Sequence, residues 1–357
     1  MNPFCKQLGI HLPIIAAPMA GGPSTQELVA ACSASGALGS FGFAYTQPAA
    51  MKTQAAWVRE RTPAPFGINL FVSAQPESIA PADQRMALEA VAAYYTELGL
   101  PPPEPVAAPY APSLEAQLDA VEEIRPKVFT VHLGGLSANQ VQRFKSKGIV
   151  VGGSANCIAE AKGLEQSGFD FVIAQGGEAG GHRGSYLRDP YQSLTGTLAL
   201  TRMIVRTVKI PVVAAGGIMD GAGIAGVLAL GAQAAQLGTA FLPCPESGAS
   251  PVHKELLLKA TEDTTRLTEK FSGKPARGLV NRFMREMQGK PQLAFPAQNS
   301  VTGKLRQTSA KEGKPDFVAL WAGQAAPLSR ALPAGELVRK LEGELHTALN
   351  GLKGLMA

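Results

Sequence analysis

The chain has 357 residues, 45% of them hydrophobic and 17% charged, with a formal net charge of +5. That balance is too apolar for a disordered chain, and the length suits one large α/β domain or two ordinary ones. No apolar stretch approaches the ~20 residues that span a bilayer, and the start lacks a basic region followed by an unbroken apolar run, so a cytoplasmic protein without membrane contact is expected.

Taken in chain order, the first predicted strand is "LPIIAAPM" (12–19), which ends in Ala17, Pro18 and Met19; Ser24 or Thr25 then caps the helical stretch "STQELVAACSAS". "GALGSFG" (36–42) is the second strand and "FGINLFV" (66–72) the third. Asn69 lies inside that otherwise apolar third run, where an unpaired amide is costly, so it needs either a cofactor ring edge or a neighbouring backbone group. Residues 73–126 hold a helical stretch followed by "PPPEPVAAPYAP" and read as an extended excursion on the surface.

The fourth strand, "KVFTVHLG" (127–134), carries His132 near its end, either in a shared pocket on the substrate side or as a satisfied rim histidine. "GIVVGG" (148–153), "FDFVIAQGG" (169–177), "IPVVAAGG" (210–217) and "AAQLGTAF" (234–241) complete eight strands, with "SANCIAEAKGLEQSG" and "GAGIAGVLALG" as helices among them. Each run is continuously apolar, as in a parallel sheet buried on both faces. A closed (β/α)8 TIM barrel of the α/β class fits best, with an open doubly wound sheet as the alternative. The barrel is expected over 1–261 and 334–357, ending in the amphipathic helix "GELVRKLEGELHTAL", and 262–333 is an inserted smaller cap or substrate domain over the barrel mouth.

In such barrels the site lies at the carboxyl ends of the strands, with phosphate commonly held after strands seven and eight. Those ends carry Gly216 and Gly217, and Gln236, Leu237, Gly238 and Thr239. Glycine permits close backbone approach, a following helix N-terminus favours an anion, and Thr239 adds a hydroxyl, so a phosphate-bearing cofactor is expected. The loop after strand six, "AQGGEAGGHRGS" (174–185), places His182 among glycines that make room for a planar ring. Its imidazole either meets the substrate or pins its own loop. His11, His253 and His346 lie away from strand ends and receive no role.

No metal site is expected, because Cys5, Cys32, Cys157 and Cys244 are widely spaced and read as small buried apolar residues. Neither a G-x-S-x-G elbow nor a Rossmann fingerprint is present. Residues 254–316 hold 13 Lys/Arg against 7 Asp/Glu. That excess either draws in small anions or forms solvated helix faces; it lacks the aromatic interleaving of a nucleic-acid platform.

The ordered set "APMAGG", "GINLF", "AQGGEAGGHRG", "AAGGI" and "QLGTAF", running from about residue 10 to residue 330, resembles the nitronate monooxygenase family, and "FSGKPARGLVNRF" with "LWAGQ" is similar to its class I branch. The resemblance implies an FMN-dependent barrel that oxidises alkyl nitronates, such as propionate 3-nitronate, with dioxygen to a carbonyl compound and nitrite. It implies FMN contacts from Asn69, Gln175, Gly180, Gly181, Gly216, Gly217 and Gln236 to Thr239, with Ala17, Pro18 and Met19 lining the flavin. His182 matches the residue regarded as catalytic, which binds the nitronate anion or removes the α-proton of a neutral nitroalkane. Leu293 and Phe295 stand where several members carry tyrosines, implying a more apolar pocket. Asn156 and Cys157 stand where the other branch has a histidine, which leaves His182 as the working imidazole. Motifs shared with FMN-dependent enoyl reductases keep an NAD(P)H reductase as the alternative activity, and a non-catalytic flavin-binding protein as a third. The expected partners are a small anionic or nitro-compound substrate and O2, on a monomer or homodimer.

Overall fold

The computed structural model describes residues 2–73 and 78–354. Its main sheet is built from β1 (Ile14–Ala16), β2 (Gly39–Gly42), β3 (Phe66–Phe71), β4 (Val128–His132), β5 (Val150–Ala155), β6 (Phe171–Gln175), β8 (Val212–Ala215) and β9 (Ala234–Leu237). All neighbours are parallel, in the order β1-β9-β8-β6-β5-β4-β3-β2. Ala16 N–H donates to the Leu38 carbonyl and Leu38 N–H to that of Ile14, which ties the first strand to the second and completes a (β/α)8 barrel. Every expected strand is present, trimmed at its ends; β1 is bounded by Pro13 and Pro18, which cannot donate to a ladder.

The amino ends of the strands are filled by a cluster of Ile15, Leu38, Val128, Val150, Phe171 and Val213, and the helix Pro3–Leu8 plugs that end with Phe4, Cys5 and Leu8. Phe4 meets Phe171 edge-on, with ring centroids 5.2 Å apart. Phe171 fits because Gly152 on β5 has no side chain: a Cβ there would lie 2.2 Å from the Phe171 ring. With this end packed shut, only the carboxyl end is left to hold a cavity. Outside the barrel, the terminal helix Ala334–Gly354 buries Leu337, Val338, Leu341 and Leu345 beside the helix Gly221–Ala229.

A second sheet stands over the mouth. β7 (Gly181–His182), β10 (Thr265–Thr268) and β11 (Ala276–Leu279) pair antiparallel in the order β10-β11-β7, so the loop after β6 is stitched to the insertion. The 73–126 segment departs from the expected surface excursion, of which residues 74–77 lie outside the described residues. Its helix Pro81–Glu97 carries Ala87, Val91, Tyr94 and Tyr95, with Leu98 just beyond, on one helical face. That stripe shares a core with Phe271, Phe283, Val301 and Phe317 of the insertion. Tyr95 Oη donates to the Val301 carbonyl at 2.6 Å.

All four cysteines are free and buried. Among the described residues no helix is long and apolar enough to cross a membrane, and no cluster of three or more metal-ligating side chains occurs.

Candidate active site

At the carboxyl ends of the strands lies a cavity of about 420 Å³, within the range of roughly 300–1,000 Å³ typical of small-molecule sites. It gathers Ala17, Pro18, Met19, Asn69, His132, Gln175, Gly180, Gly181, His182, Gly216, Gly217, Gln236, Gly238 and Thr239 from chain segments far apart in sequence. Leu237 is the exception among the expected residues. Strand alternation turns it away from its neighbours, and its fully buried side chain joins the core under the helices instead.

β8 and β9 are hydrogen-bonded neighbours, so their tips stand side by side. The amides of Gly217, Gly238 and Thr239 donate to no protein acceptor among the described residues. Gly216 and Gly217 have φ of 116° and 70°, a region that favours glycine and turns the chain sharply beyond β8. Thr239 Oγ1 accepts from Gly323 N–H at 2.9 Å, which leaves its own proton free to donate. One expected contribution is absent. The helix Gly221–Ala229 is already capped by Asp220, which accepts from Gly223 N–H at 2.7 Å, so a carboxylate satisfies that N-terminus and the loop amides remain as the anion donors.

Two polar side chains face the cavity from the barrel floor. Asn69 donates from Nδ2 to Thr130 Oγ1 at 2.9 Å, and its Oδ1 and second amide hydrogen have no partner among the described residues. Gln175 is more committed: Nε2 donates to the His182 carbonyl at 3.0 Å, while Oε1 accepts from Asn156 Nδ2 and Gly184 N–H, each at 2.9 Å. One Gln175 amide hydrogen remains. Asn156 therefore acts by orienting Gln175.

His182 is held from three sides. Its Nε2 lies 2.9 Å from Ser272 Oγ of the insertion. Its ring packs against Phe71, Phe295 and Trp321, with centroids 5.6 to 5.7 Å away. Its carbonyl accepts from Gln175 and from His132 Nε2 at 3.1 Å. Because a carbonyl only accepts, His132 must carry its proton on Nε2 and take one at Nδ1 from Ser154 Oγ. His132 thus lines the cavity and also pins the His182 backbone. Burial, reinforced by His132, Lys274 and Arg306, pushes the His182 pKa down to about 3. Burial likewise takes His132 to about 4, against the opposing bond to the His182 carbonyl. Both imidazoles are neutral at physiological pH.

Two of the loop glycines are required by packing, while Gly181 has open space around it. A Cβ on Gly180 would sit 2.5 Å from the Ala322 carbonyl carbon, and one on Gly184 2.6 Å from His132 Cε1. Fully buried Arg183 donates to the carbonyls of Gly176 and Ser193, and fully buried Glu160 accepts from the amides of Asn156, Tyr186 and Leu187.

Several cavity residues have no strand-end signature. His253 lines it from the helix Pro251–Leu258, bonded through Nε2 to the Trp321 carbonyl at 3.1 Å, with its pKa pushed by burial to about 4. Arg306 lines it from the insertion; Nε reaches Thr302 Oγ1 and Nη2 reaches Asn299, and it forms no ion pair among the described residues. Tyr45 also lines it, and its buried hydroxyl has no partner among the described residues. Of the two residues at the cap departure, Phe295 packs on His182 whereas Leu293 is buried in the insertion core.

A profile of the family described as nitronate monooxygenase matches residues 2–344. The chain is 43% identical to a nitronate monooxygenase of Pseudomonas aeruginosa, covering 96% of this chain and 99% of that one. It is 40% identical to one of Paraburkholderia phytofirmans, covering 97% and 95%. Among solved structures it is similar to nitroalkane oxidase from Streptomyces ansochromogenes, with a TM-score of 0.90 and 38% identity over 98% of this chain and 100% of that one. It is also similar to FabK from Thermotoga maritima, with a TM-score of 0.78 and 28% identity over 99% of each chain.

Proposed function

Since this chain belongs to the nitronate monooxygenase family, a family of oxidoreductases, we propose that its cavity binds FMN and oxidises an alkyl nitronate with dioxygen to a carbonyl compound and nitrite. The residues fit that cofactor. The unpaired amides of Gly217, Gly238 and Thr239, with the Thr239 hydroxyl, offer four donors to one phosphate. Asn69 and the remaining Gln175 hydrogen suit the polar edge of a flavin, and Ala17, Pro18 and Met19 its apolar face. When bound, FMN supplies the electron acceptor through which dioxygen is used.

The chain's own contribution is orientation, charge and proton handling. His182 is the catalytic residue, and the observation that carries this reading is its neutral imidazole at the cavity wall, with Nδ1 unpartnered among the described residues. It takes the α-proton when a neutral nitroalkane enters, and once protonated can donate to the nitronate oxygen. A neutral imidazole cannot hold an anion by charge. Arg306, uncompensated and facing the cavity with the Tyr45 hydroxyl, supplies that attraction. Phe71, Phe295 and Trp321 exclude water around the imidazole.

The test is reconstitution with FMN followed by nitrite release from ethyl nitronate and propionate 3-nitronate in air. A yellow protein that releases nitrite is expected, and His182→Asn should keep its flavin while losing about a hundredfold or more in turnover of nitroethane. The motifs shared with FMN-dependent enoyl reductases give a second reading, an FMN-dependent reductase using NAD(P)H. Under anaerobic mixing, flavin bleached by NADH and untouched by nitronate would replace the first reading with that one.

A further inference from the structure

The His182 ring meets a side chain from outside the barrel through Nε2. Ser272 is buried in the turn between β10 and β11. Its Oγ has three polar neighbours: the Lys274 carbonyl at 3.2 Å, the Lys274 amide at 3.4 Å and His182 Nε2 at 2.9 Å. A serine hydroxyl has one proton and two lone pairs. The carbonyl can only accept, so it takes the hydroxyl proton; the amide can only donate, so it takes one lone pair. The lone pair left over faces His182, which must therefore bring its proton on Nε2. The opposite assignment would leave the Lys274 carbonyl facing an oxygen lone pair.

We propose that Ser272 is a positioning residue that fixes His182 as the Nε2–H tautomer, so that the unprotonated Nδ1 faces the cavity and is the atom that receives the substrate proton. The proposal rests on His182 acting on the substrate. When a neutral nitroalkane enters, its α C–H bond breaks, the electron pair moves into the C=N bond of the nitronate, and the proton bonds to Nδ1. The resulting imidazolium keeps its Nε2–H on Ser272, whose own proton stays with the Lys274 carbonyl. Since Ser272 belongs to the insertion and Nδ1 to the barrel loop, the base is in register only while the two are packed together. Backbone pairing of Ala276 with His182 and Arg277 with Gly181 enforces this. A nitronate supplied ready-made needs no such transfer.

The test combines a spectroscopic and a kinetic measurement on the full chain. In protein labelled with 15N-histidine, the His182 signal, assigned by its loss in His182→Asn, should show the proton on Nε2 and a bare Nδ1. Ser272→Ala should shift that signal towards a mixture of tautomers, and Ser272→Thr should restore it. In FMN-loaded enzyme, Ser272→Ala should slow oxidation of neutral nitroethane by about 10–100-fold and that of pre-formed ethyl nitronate by less than about twofold, with Ser272→Thr recovering most of the loss. A wild-type signal protonated at Nδ1, or an equal loss on both substrates, would overturn the proposal. The wild-type and Ser272→Thr spectra decide it even if Ser272→Ala fails to fold. If wild-type protein oxidises neither substrate, the reading of the activity fails while the tautomer assignment still stands on its spectrum.

Discussion

Arg306 is the residue whose role the chain order hides most completely. It sits in a segment whose positive excess is equally well explained by solvated helix faces, yet it is turned inward, braced by Thr302 and Asn299. Burial lowers its pKa, but the guanidinium stays charged, and among the described residues no carboxylate neutralises it. Arg306→Gln should raise the KM for propionate 3-nitronate and for ethyl nitronate about tenfold, equivalent to about 1.4 kcal/mol, while neutral nitroethane, which carries no charge, changes little. Equal effects on the nitronates and on nitroethane in steady-state nitrite assays would deny the contact. The contrast with His182 is instructive. His182 stood out because a glycine-rich loop after a strand is a local pattern, whereas Arg306, Tyr45 and His253 reach the cavity through contacts that no local pattern encodes. Leu237 differs for the opposite reason: it belongs to a tip motif whose neighbours line the cavity, but the pleat sends its side chain to the other face.

Elements were legible where burial on both faces forces a continuous apolar run, which is why all eight barrel strands appear where the sequence puts them. β7 was not legible, because two residues, Gly181 and His182, have no hydrophobic period and become a strand only through β11. The junction beside it is close-packed. Gly180→Ala would drive a methyl group into the backbone of Ala322 and Gly323, where contacts of 2.5 and 2.6 Å leave no space. The expected result is a separation of insertion from barrel, read as faster proteolytic cutting within 262–333 and reduced nitrite release while far-ultraviolet circular dichroism stays unchanged. Wild-type protease resistance would count against that packing. The helix Pro81–Glu97 teaches the same lesson: its apolar stripe is readable, but its partner lies nearly two hundred residues further on.

For the molecule as a whole, three imidazoles that line one cavity, His253 buried and His132 and His182 half-buried, set an acid limit. His132, His182 and His253 all have native pKa values depressed below the ordinary 6.5, to about 4, 3 and 4. As pH falls below 6.5 the unfolded chain binds these protons first, so the associated stability is complete above that point and is lost as pH falls towards 3–4. Each unit of depression is worth about 1.4 kcal/mol per group. Tm should therefore fall by several degrees, on the order of 5 °C or more, between pH 7 and pH 5, and the slope should be shallower in His253→Gln. A Tm independent of pH over that interval would contradict the burial of these rings. Composition announced none of this, since five histidines in 357 residues is unremarkable until three of them line one cavity.

The roof of the cavity is not one ribbon of chain. Its apolar interior takes Tyr94 and Tyr95 from an early detour and Phe271, Phe283 and Phe317 from a late one, with five strands of barrel threaded between them. A graft that transplanted only the late detour between relatives would leave half a roof behind, with aromatic rings facing water. During synthesis, the early helix must wait for most of the polypeptide to emerge before it finds the surface it covers. Packing of the roof is consequently set by two distant stretches of chain, and the early and late detours must change in concert to keep it closed.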